Sequence, residues 1–196
     1  MASAKITRDS LMTLETYARE RPHFRARVLA HKRVRTVHLG DHLTLLFEDE
    51  LLQRYQIQEM LRIEKIFEED GIQNELDAYN PLVPDGSNFK ATMLIEYEDV
   101  EARKQALSRL RGIEDRAYVQ VAGHEPAYAI ADEDLERENE VKTSAVHFLR
   151  FELSPAMVTA LKAGADLGVG VDHPEYRARI PAVGQDTRKA LVEDLA

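Results

Sequence analysis

The sequence has no cysteine and no tryptophan among its 196 residues, and it contains only 9 glycines and 7 prolines. The absence of cysteine excludes disulfides, thiolate nucleophiles and cysteine-ligated iron–sulfur clusters. Any metal must therefore be held by histidine, carboxylate, tyrosine or backbone oxygen. No apolar run approaches the roughly 20 residues of a membrane span, and the N-terminus lacks a signal-peptide pattern. These absences predict a cytoplasmic protein that does not enter a membrane.

The composition is that of one folded domain. Hydrophobic residues make up 44% of the chain and charged residues 31%, which supplies enough apolar surface for a core. A length of 196 residues fits a single domain spanning 1–196. The formal net charge of −9 argues against nucleic acid as a partner.

Positive charge is nevertheless concentrated near the N-terminus. The stretch "RERPHFRARVLAHKRVR" contains a single acid, Glu20, among its many arginines and lysines. These cations either pair with acidic helices of the same protein or form a dock for an acidic partner or a phosphate. The docking residues predicted for the second case are Arg21, Arg25, Lys32 and Arg35.

The first part of the chain divides into three segments. Residues 1–33 are predicted to be helical, with a break at Pro22, because proline suits the first turn of a new helix. Residues 34–49 read as a β-hairpin around Gly40. Residues 50–80 begin with a long amphipathic helix, "LLQRYQIQEMLRIEKIFEE", followed by a shorter helical piece.

The second part has the order strand, helix, strand, strand, helix, strand between about residues 88 and 153. That is the ferredoxin-like βαββαβ order, with "DEDLERENE" as its second helix. Residues 154–196 add a helix, a strand and a helix. The predicted fold class is therefore α+β, with the N-terminal helices and the hairpin packed on a ferredoxin-like sheet. An exposed edge of such a sheet would allow two copies to pair as a homodimer.

The long helix raises the main chemical question, because its apolar arc contains Gln56 and Glu59. The apolar members of the arc are Leu52, Tyr55, Met60, Ile63, Ile66 and Phe67. A buried carboxylate without a partner costs several kcal/mol or takes up a proton. We expect Glu59 to pair with Arg150 or Lys90 on the sheet beneath it. The result is either a closed ion network or a polar pocket for a small ligand or metal. The ligand-binding residues predicted for the pocket are Gln56, Glu59, Lys90, Glu96, His147, Arg150 and Glu152.

The histidines offer weaker signals. His147 falls on the apolar face of its strand, where it is either a satisfied core residue or part of the predicted pocket. A three-residue hairpin loop would place His38 opposite His42, and two histidines are half of a metal site. The sequence identifies neither a catalytic residue nor a metal or cofactor.

Two long phrases resemble the bacterial domain-of-unknown-function family DUF3501. They are "LTLLFEDELLQRYQIQEMLRIEKIFEEDGIQNELDAYNPLVPDGSNFKATMLIEY" and "YAIADEDLERENEVKTSAVHFLRFELSPAM". The family has no assigned activity and no catalytic residues to transfer. Its genes often lie beside those for rubrerythrin and for a cysteine-rich iron–sulfur oxidoreductase. The resemblance thus implies a role near peroxide or iron handling, by association rather than by mechanism.

Two functions follow as expectations. The first is a cytoplasmic accessory protein of a non-haem-iron redox or oxidative-stress system, with rubrerythrin and the iron–sulfur oxidoreductase as partners. The second is a small enzyme, or a metal- or ligand-binding protein, with a Glu/His/Arg pocket between the long helix and the sheet. Whether the chain is an enzyme stays open at this point.

Overall fold

The computed structural model describes residues 5–133 and 142–196. It is a mixed α+β structure with two antiparallel sheets. The helices are α1 (Leu14–Arg33), α2 (Glu50–Glu64), α3 (Glu69–Tyr79), α4 (Val100–Arg109), α5 (Pro155–Lys162) and α6 (Gln185–Val192). The strands are β1 (Thr36–Leu39), β2 (Leu43–Glu48), β3 (Asn88–Ile95), β4 (Ala117–Val121), β5 (Ala127–Tyr128), β6 (Ile130–Ala131), β7 (Val146–Glu152), β8 (Leu167–His173) and β9 (Tyr176–Ile180).

Helix α1 is continuous, so the break predicted at Pro22 is wrong. Its buried residues are Tyr17, Phe24 and Val28, spaced by seven and then four positions. This spacing keeps one face of a helix in register on both sides of the proline. Burial of that face therefore stabilises the helix more than Pro22 destabilises it by removing one backbone hydrogen bond and crowding the preceding turn.

The predicted hairpin is confirmed, and it joins the larger sheet, whose order is β1-β2-β3-β7-β6. Leu39 pairs with Leu43, so the loop contains residues 40–42. His38 consequently lies opposite Thr44 rather than His42, and the predicted contact between the two histidines is not formed. The register differs because the turn begins one residue later than the alternation alone indicated.

Strands β3 and β7 are antiparallel neighbours, as predicted. Lys90 pairs with Arg150 and Met93 pairs with His147. Burial alternates along both strands, so Lys90 and Arg150 point away from the face that carries Met93 and His147. This alternation decides which predicted site residues can meet.

The ferredoxin-like arrangement is not confirmed, because β4 lies in a second sheet with the order β5-β4-β8-β9. Strands β5 and β6 were predicted as one strand, but they belong to different sheets. Between them, the amide of Ala129 donates to the carbonyl of Ala117 at 2.9 Å. The chain therefore passes from one sheet to the other within five residues.

The two sheets share one apolar core. Phe47, Phe89 and Phe151 of the larger sheet belong to the same buried cluster as Val119 and Val169 of the smaller one. Helices α1 to α3 cover the outer face of the larger sheet, as the sequence predicts for the long helix. There Leu46 packs against the cluster formed by α1 and α2.

The C-terminal helix, strand and helix are confirmed, and β9 is an additional strand that pairs with β8. Ser154 caps α5 by accepting a hydrogen bond from the amide of Met157. Most of the predicted acidic helix, residues 134–140, lies outside the described residues. No helix in the described ranges is long and apolar enough to cross a bilayer.

Candidate functional site

Glu59 of α2 meets α1 rather than the sheet. Its Oε1 accepts hydrogen bonds from Tyr17 Oη at 2.6 Å and Arg21 Nε at 2.7 Å. Its Oε2 accepts from Arg21 Nη2 at 2.9 Å and from Arg62 Nη2 at 3.2 Å. The expected pairing with Arg150 or Lys90 is therefore wrong. The prediction failed because Glu59 projects from the side of α2 that packs against α1.

The pKa of Glu59 shows that its partners stabilise the ionised carboxylate. The hydrogen bonds from Arg21 lower the pKa of Glu59 from 4.5 to about 2, with further contributions from Tyr17 and Arg62, against the opposing effect of burial. Burial, together with the Glu59 carboxylate, raises the pKa of Tyr17. Gln56, by contrast, is exposed. The Glu59 carboxylate thus belongs to a closed ion network between α1 and α2.

Of the other predicted ligand-binding residues, the structure brings three together. Lys90, Arg150 and Glu152 lie on one face of β3 and β7. Glu96 lies at the far end of β3, where its carboxylate accepts a hydrogen bond from Thr44 Oγ1 at 2.6 Å. His147 lies on the opposite face of the sheet. These five residues therefore lie in three places, apart from Gln56 and Glu59 on α2.

Lys90 lines a cavity of about 500 Å³ between the sheet and the end of α3, which we call the Lys90 pocket. This volume is in the range of small-molecule sites. Its walls combine charged and apolar side chains. They are Asp77, Ala78, Tyr79, Pro81, Leu82, Lys90, Glu133, Phe148, Leu149 and Arg150. A pocket between helix and sheet is thus present, formed by α3 and the residues after it instead of α2.

Arg150 is held by two carboxylates at the Lys90 pocket. Its Nε and Nη2 each donate to Glu133 at 2.8 Å, in a bidentate arrangement. Its Nη1 donates to Glu152. Lys90 makes no hydrogen bond or ion pair within the described part of the chain. Burial, and then the charge of Arg150, lower the pKa of Lys90.

His147 forms a second polar group inside the protein, which we call the His147 cluster. Its Nδ1 lies 2.5 Å from Asp132 Oδ2, and its Nε2 lies 2.9 Å from Thr143 Oγ1. Glu114 Oε2 lies 3.8 Å from the same Nε2 and accepts a hydrogen bond from Thr143 at 3.3 Å. The His147 side chain is fully buried, so this polar group displaces apolar packing at the boundary of the core.

The His147 cluster has the composition of a metal-binding group. One ligand atom from each of Glu114, Asp132 and His147 lies within 4.8 Å of the others. Imidazole and carboxylate are suitable ligands for iron, manganese and zinc. Each ring nitrogen of His147 already faces an acceptor, Nδ1 the Asp132 carboxylate at 2.5 Å and Nε2 the Ser144 carbonyl at 3.1 Å, so a metal at Nε2 would replace the Nε2 contact. Glu114 Oε2 and His147 Nε2 would be two protein ligands of a divalent metal, and water would complete its coordination.

The sequence indicated His147 but neither Glu114 nor Asp132. Asp132 was assigned to the acidic helix, whereas it has a left-handed backbone with φ of 48° and accepts a hydrogen bond from the amide of Phe148. Glu114 lies in a 3-10 turn that leads into β4. Only the packing of the two sheets joins these segments, so no spacing in the sequence reveals the cluster.

Two of the four predicted docking residues form ion pairs within the protein itself. Arg21 is bound to Glu59. Arg35 is fully buried and pairs with Asp194, with Nη2–Oδ1 at 2.6 Å. Arg25 remains exposed and Lys32 half-buried on α1. Within the basic segment, all of which the structure describes, Arg35 is thus the one buried cation, whereas Arg19, Arg27 and Arg33 are exposed like Arg25.

The remaining predicted histidine pair is separated by its own contacts. His38 Nδ1 lies 3.0 Å from Thr44 Oγ1. His42 stacks on Tyr97 with ring centroids 3.8 Å apart. Each ring has a structural partner, and the two do not form half of a metal site.

Comparison with known proteins gives the family of the chain but not its activity. The family model described as Protein of unknown function (DUF3501) matches residues 5–195. The structure is similar to the crystal structure of a novel protein of unknown function from Burkholderia pseudomallei, with a TM-score of 0.93 and 60% sequence identity. That similarity covers 98% of this chain and 100% of the other. No curated protein matches. The resemblance seen in the sequence is thus confirmed, and the chain belongs to the DUF3501 family of proteins of unknown function.

Proposed function

We propose that the protein binds a divalent metal ion at the His147 cluster and works as an accessory protein of a non-haem-iron redox or oxidative-stress system in the cytoplasm. The observation that carries the proposal is the convergence of Glu114, Asp132 and His147. The family resemblance supports the redox setting, because it associates such chains with rubrerythrin and an iron–sulfur oxidoreductase. Binding, rather than turnover, is the role assigned here.

The distances within the His147 cluster are close to those that a metal requires. Two ligands about 2.1 Å from a tetrahedral metal are roughly 3.4 Å apart. His147 Nε2 and Glu114 Oε2 are 3.8 Å apart, so a shift of a few tenths of an ångström brings them into range. Thr143 bridges the two groups through hydrogen bonds and would yield this position to the ion. Asp132 would orient the imidazole from the other side.

Metal analysis tests the proposal. The untagged protein is loaded anaerobically with Fe²⁺, and separately with Mn²⁺ and Zn²⁺, then desalted and analysed for metal per chain. We expect near-stoichiometric metal in the wild type and loss of it in His147→Gln. His173→Gln is the matched control, since His173 is also buried but contacts the backbone carbonyl of Arg111. Metal-free wild type, or equal metal in both variants, would overturn the proposal.

The docking half of the proposal depends on α1. Arg25 is exposed on α1 and Lys32 lies half-buried toward its C-terminal end, and neither makes an ion pair within the described residues. Such cations favour association with an acidic protein surface. Rubrerythrin and the iron–sulfur oxidoreductase are the proposed partners.

Charge reversal tests the docking. We expect Arg25→Glu with Lys32→Glu to weaken capture of rubrerythrin or the oxidoreductase, with greater loss at low salt than at high salt. Arg177→Glu, an exposed reversal on β9, is the control. Equal capture by both reversed proteins would exclude α1 as the dock and leave the metal site untouched.

A further inference from the structure

Lys90 occupies an unusual position for a lysine. It lies in the middle of the larger sheet, on β3, with β2 on one side and β7 on the other. Its side chain leaves the apolar core and enters the Lys90 pocket. Tyr79, Phe148 and Leu82 supply aromatic and apolar surface to the same cavity. The amine is therefore presented to a space of small-molecule size with one largely apolar side.

Three carboxylates, Glu133, Asp85 and Glu152, act on Lys90 from a distance, but none of them is hydrogen-bonded to it. Arg150 donates two hydrogen bonds to Glu133 and one to Glu152. Lys90 has no such partner within the described residues. A half-buried ammonium beside a guanidinium is poorly stabilised, because burial removes water and the neighbouring cation repels it.

We propose that Lys90 forms an imine with a small aldehyde that enters the Lys90 pocket. Lysines that form imines in proteins are desolvated or lie beside another cation, since both conditions favour the neutral amine. Lys90 has both conditions, and its lowered pKa agrees with them. This site is separate from the His147 cluster and does not depend on the proposed metal.

The reaction needs no reagent beyond the two partners. The nitrogen lone pair attacks the carbonyl carbon, a C–N bond forms, and the carbonyl oxygen takes the proton from nitrogen. The carbinolamine then loses its hydroxyl group and the second amine proton as water, which leaves a C=N bond. Nothing is oxidised or reduced. The reaction is reversible, so the aldehyde is released on hydrolysis.

The pocket favours a neutral carbonyl compound with an apolar or aromatic body. With Lys90 as the neutral amine, the carboxylates of Asp77 and Glu133 outnumber the single cation Arg150 around the cavity, which disfavours an anionic ligand such as an oxo acid. Phe148 and Tyr79 offer surface on which an aromatic ring can pack. Benzaldehyde is a suitable probe for this class.

The test is reductive trapping. The full chain is incubated with benzaldehyde and sodium cyanoborohydride at pH 7.5 and digested after glutamate, and the benzylated fraction of each lysine is measured by mass spectrometry. We expect a larger benzylated fraction at Lys90 than at Lys65 or Lys104, which are exposed. The advantage should shrink near pH 11, where most of the exposed amines are neutral as well. A fraction at Lys90 equal to or below that of the exposed lysines overturns the proposal.

Two variants strengthen the test. Arg150→Gln removes the neighbouring cation and releases Glu133 and Glu152, so we expect the benzylated fraction of Lys90 to fall toward that of Lys65. Arg179→Gln, which removes a single hydrogen bond to Gln120 on the smaller sheet, is the control. Circular dichroism establishes that both variants fold. An unchanged fraction at Lys90 in folded Arg150→Gln would also contradict the proposal, because the guanidinium would then play no part.

Discussion

The Glu59 network makes a quantitative prediction about stability. In Glu59→Gln the side chain keeps its shape but loses the charge that Arg21 and Arg62 surround. Lowering a carboxyl pKa from 4.5 to about 2 corresponds to roughly 3 kcal/mol of folding free energy at neutral pH. Because the side chain of Arg21 is 33% exposed, water screens part of this energy, and we expect a loss of about 2 kcal/mol.

The pH dependence has a definite sign. The folded protein holds Glu59 at a lower pKa than the unfolded chain does, so its contribution is complete above pH 4.5 and is lost as the pH falls toward 2. About three-quarters of the difference between wild type and Glu59→Gln should remain at pH 4, and less than half at pH 3. Urea unfolding of both proteins at pH 7, 4 and 3 measures this difference in unfolding free energy.

The matched control is Glu101→Gln, which removes an exposed ion pair with Lys104. Such a change costs less than about 1 kcal/mol, even with its place in the first turn of α4. Two results would refute the reasoning. One is a Glu59→Gln loss no larger than that of the control at pH 7, and the other is a loss that stays constant down to pH 3.

Three further outcomes are expected. Arg35→Ala should lower the unfolding free energy by about 3–5 kcal/mol in urea, because it leaves Asp194 buried without its cation, whereas Arg25→Ala should stay within about 0.5 kcal/mol. Gly168→Ala should lower the melting temperature, since its new Cβ would lie 2.8 Å from a backbone carbonyl, while Gly184→Ala, with open space around it, should not. Loss of metal in His147→Gln but not in His173→Gln would bear out the metal site, as measured by elemental analysis.

Local signals in the sequence predicted much of the secondary structure. The alternation along β3 and β7 predicted which of their residues share a face, whereas their adjacency was expected from the ferredoxin-like order and is present although that order is not confirmed. Asp99 and Ser154 begin α4 and α5 as N-caps, as their residue types indicate. These features depend on neighbours within a few residues or on one repeating pattern.

What the sequence did not predict depends on packing between distant segments. Ile63 and Phe67 were placed in the buried arc of the long helix, but they are 60% and 66% exposed. The helix ends earlier, at Lys65, and α1 covers a side that a single apolar arc does not describe. Similarly, no local pattern states that β4 leaves the first sheet, because the strand order of a sheet is decided by the whole core.

The two proposed sites share strand β7, and its pleat makes their tests independent. His147 and Arg150 are three residues apart, an odd number, so they project from opposite faces of the sheet. One lies at the boundary of the core, and the other lies in the Lys90 pocket. Loss of metal in His147→Gln should therefore leave the trapping of Lys90 unchanged, and Arg150→Gln should leave metal content unchanged. If either variant abolished both metal binding and trapping, the coupling would run through Asp132 and Glu133, consecutive residues that contact His147 and Arg150.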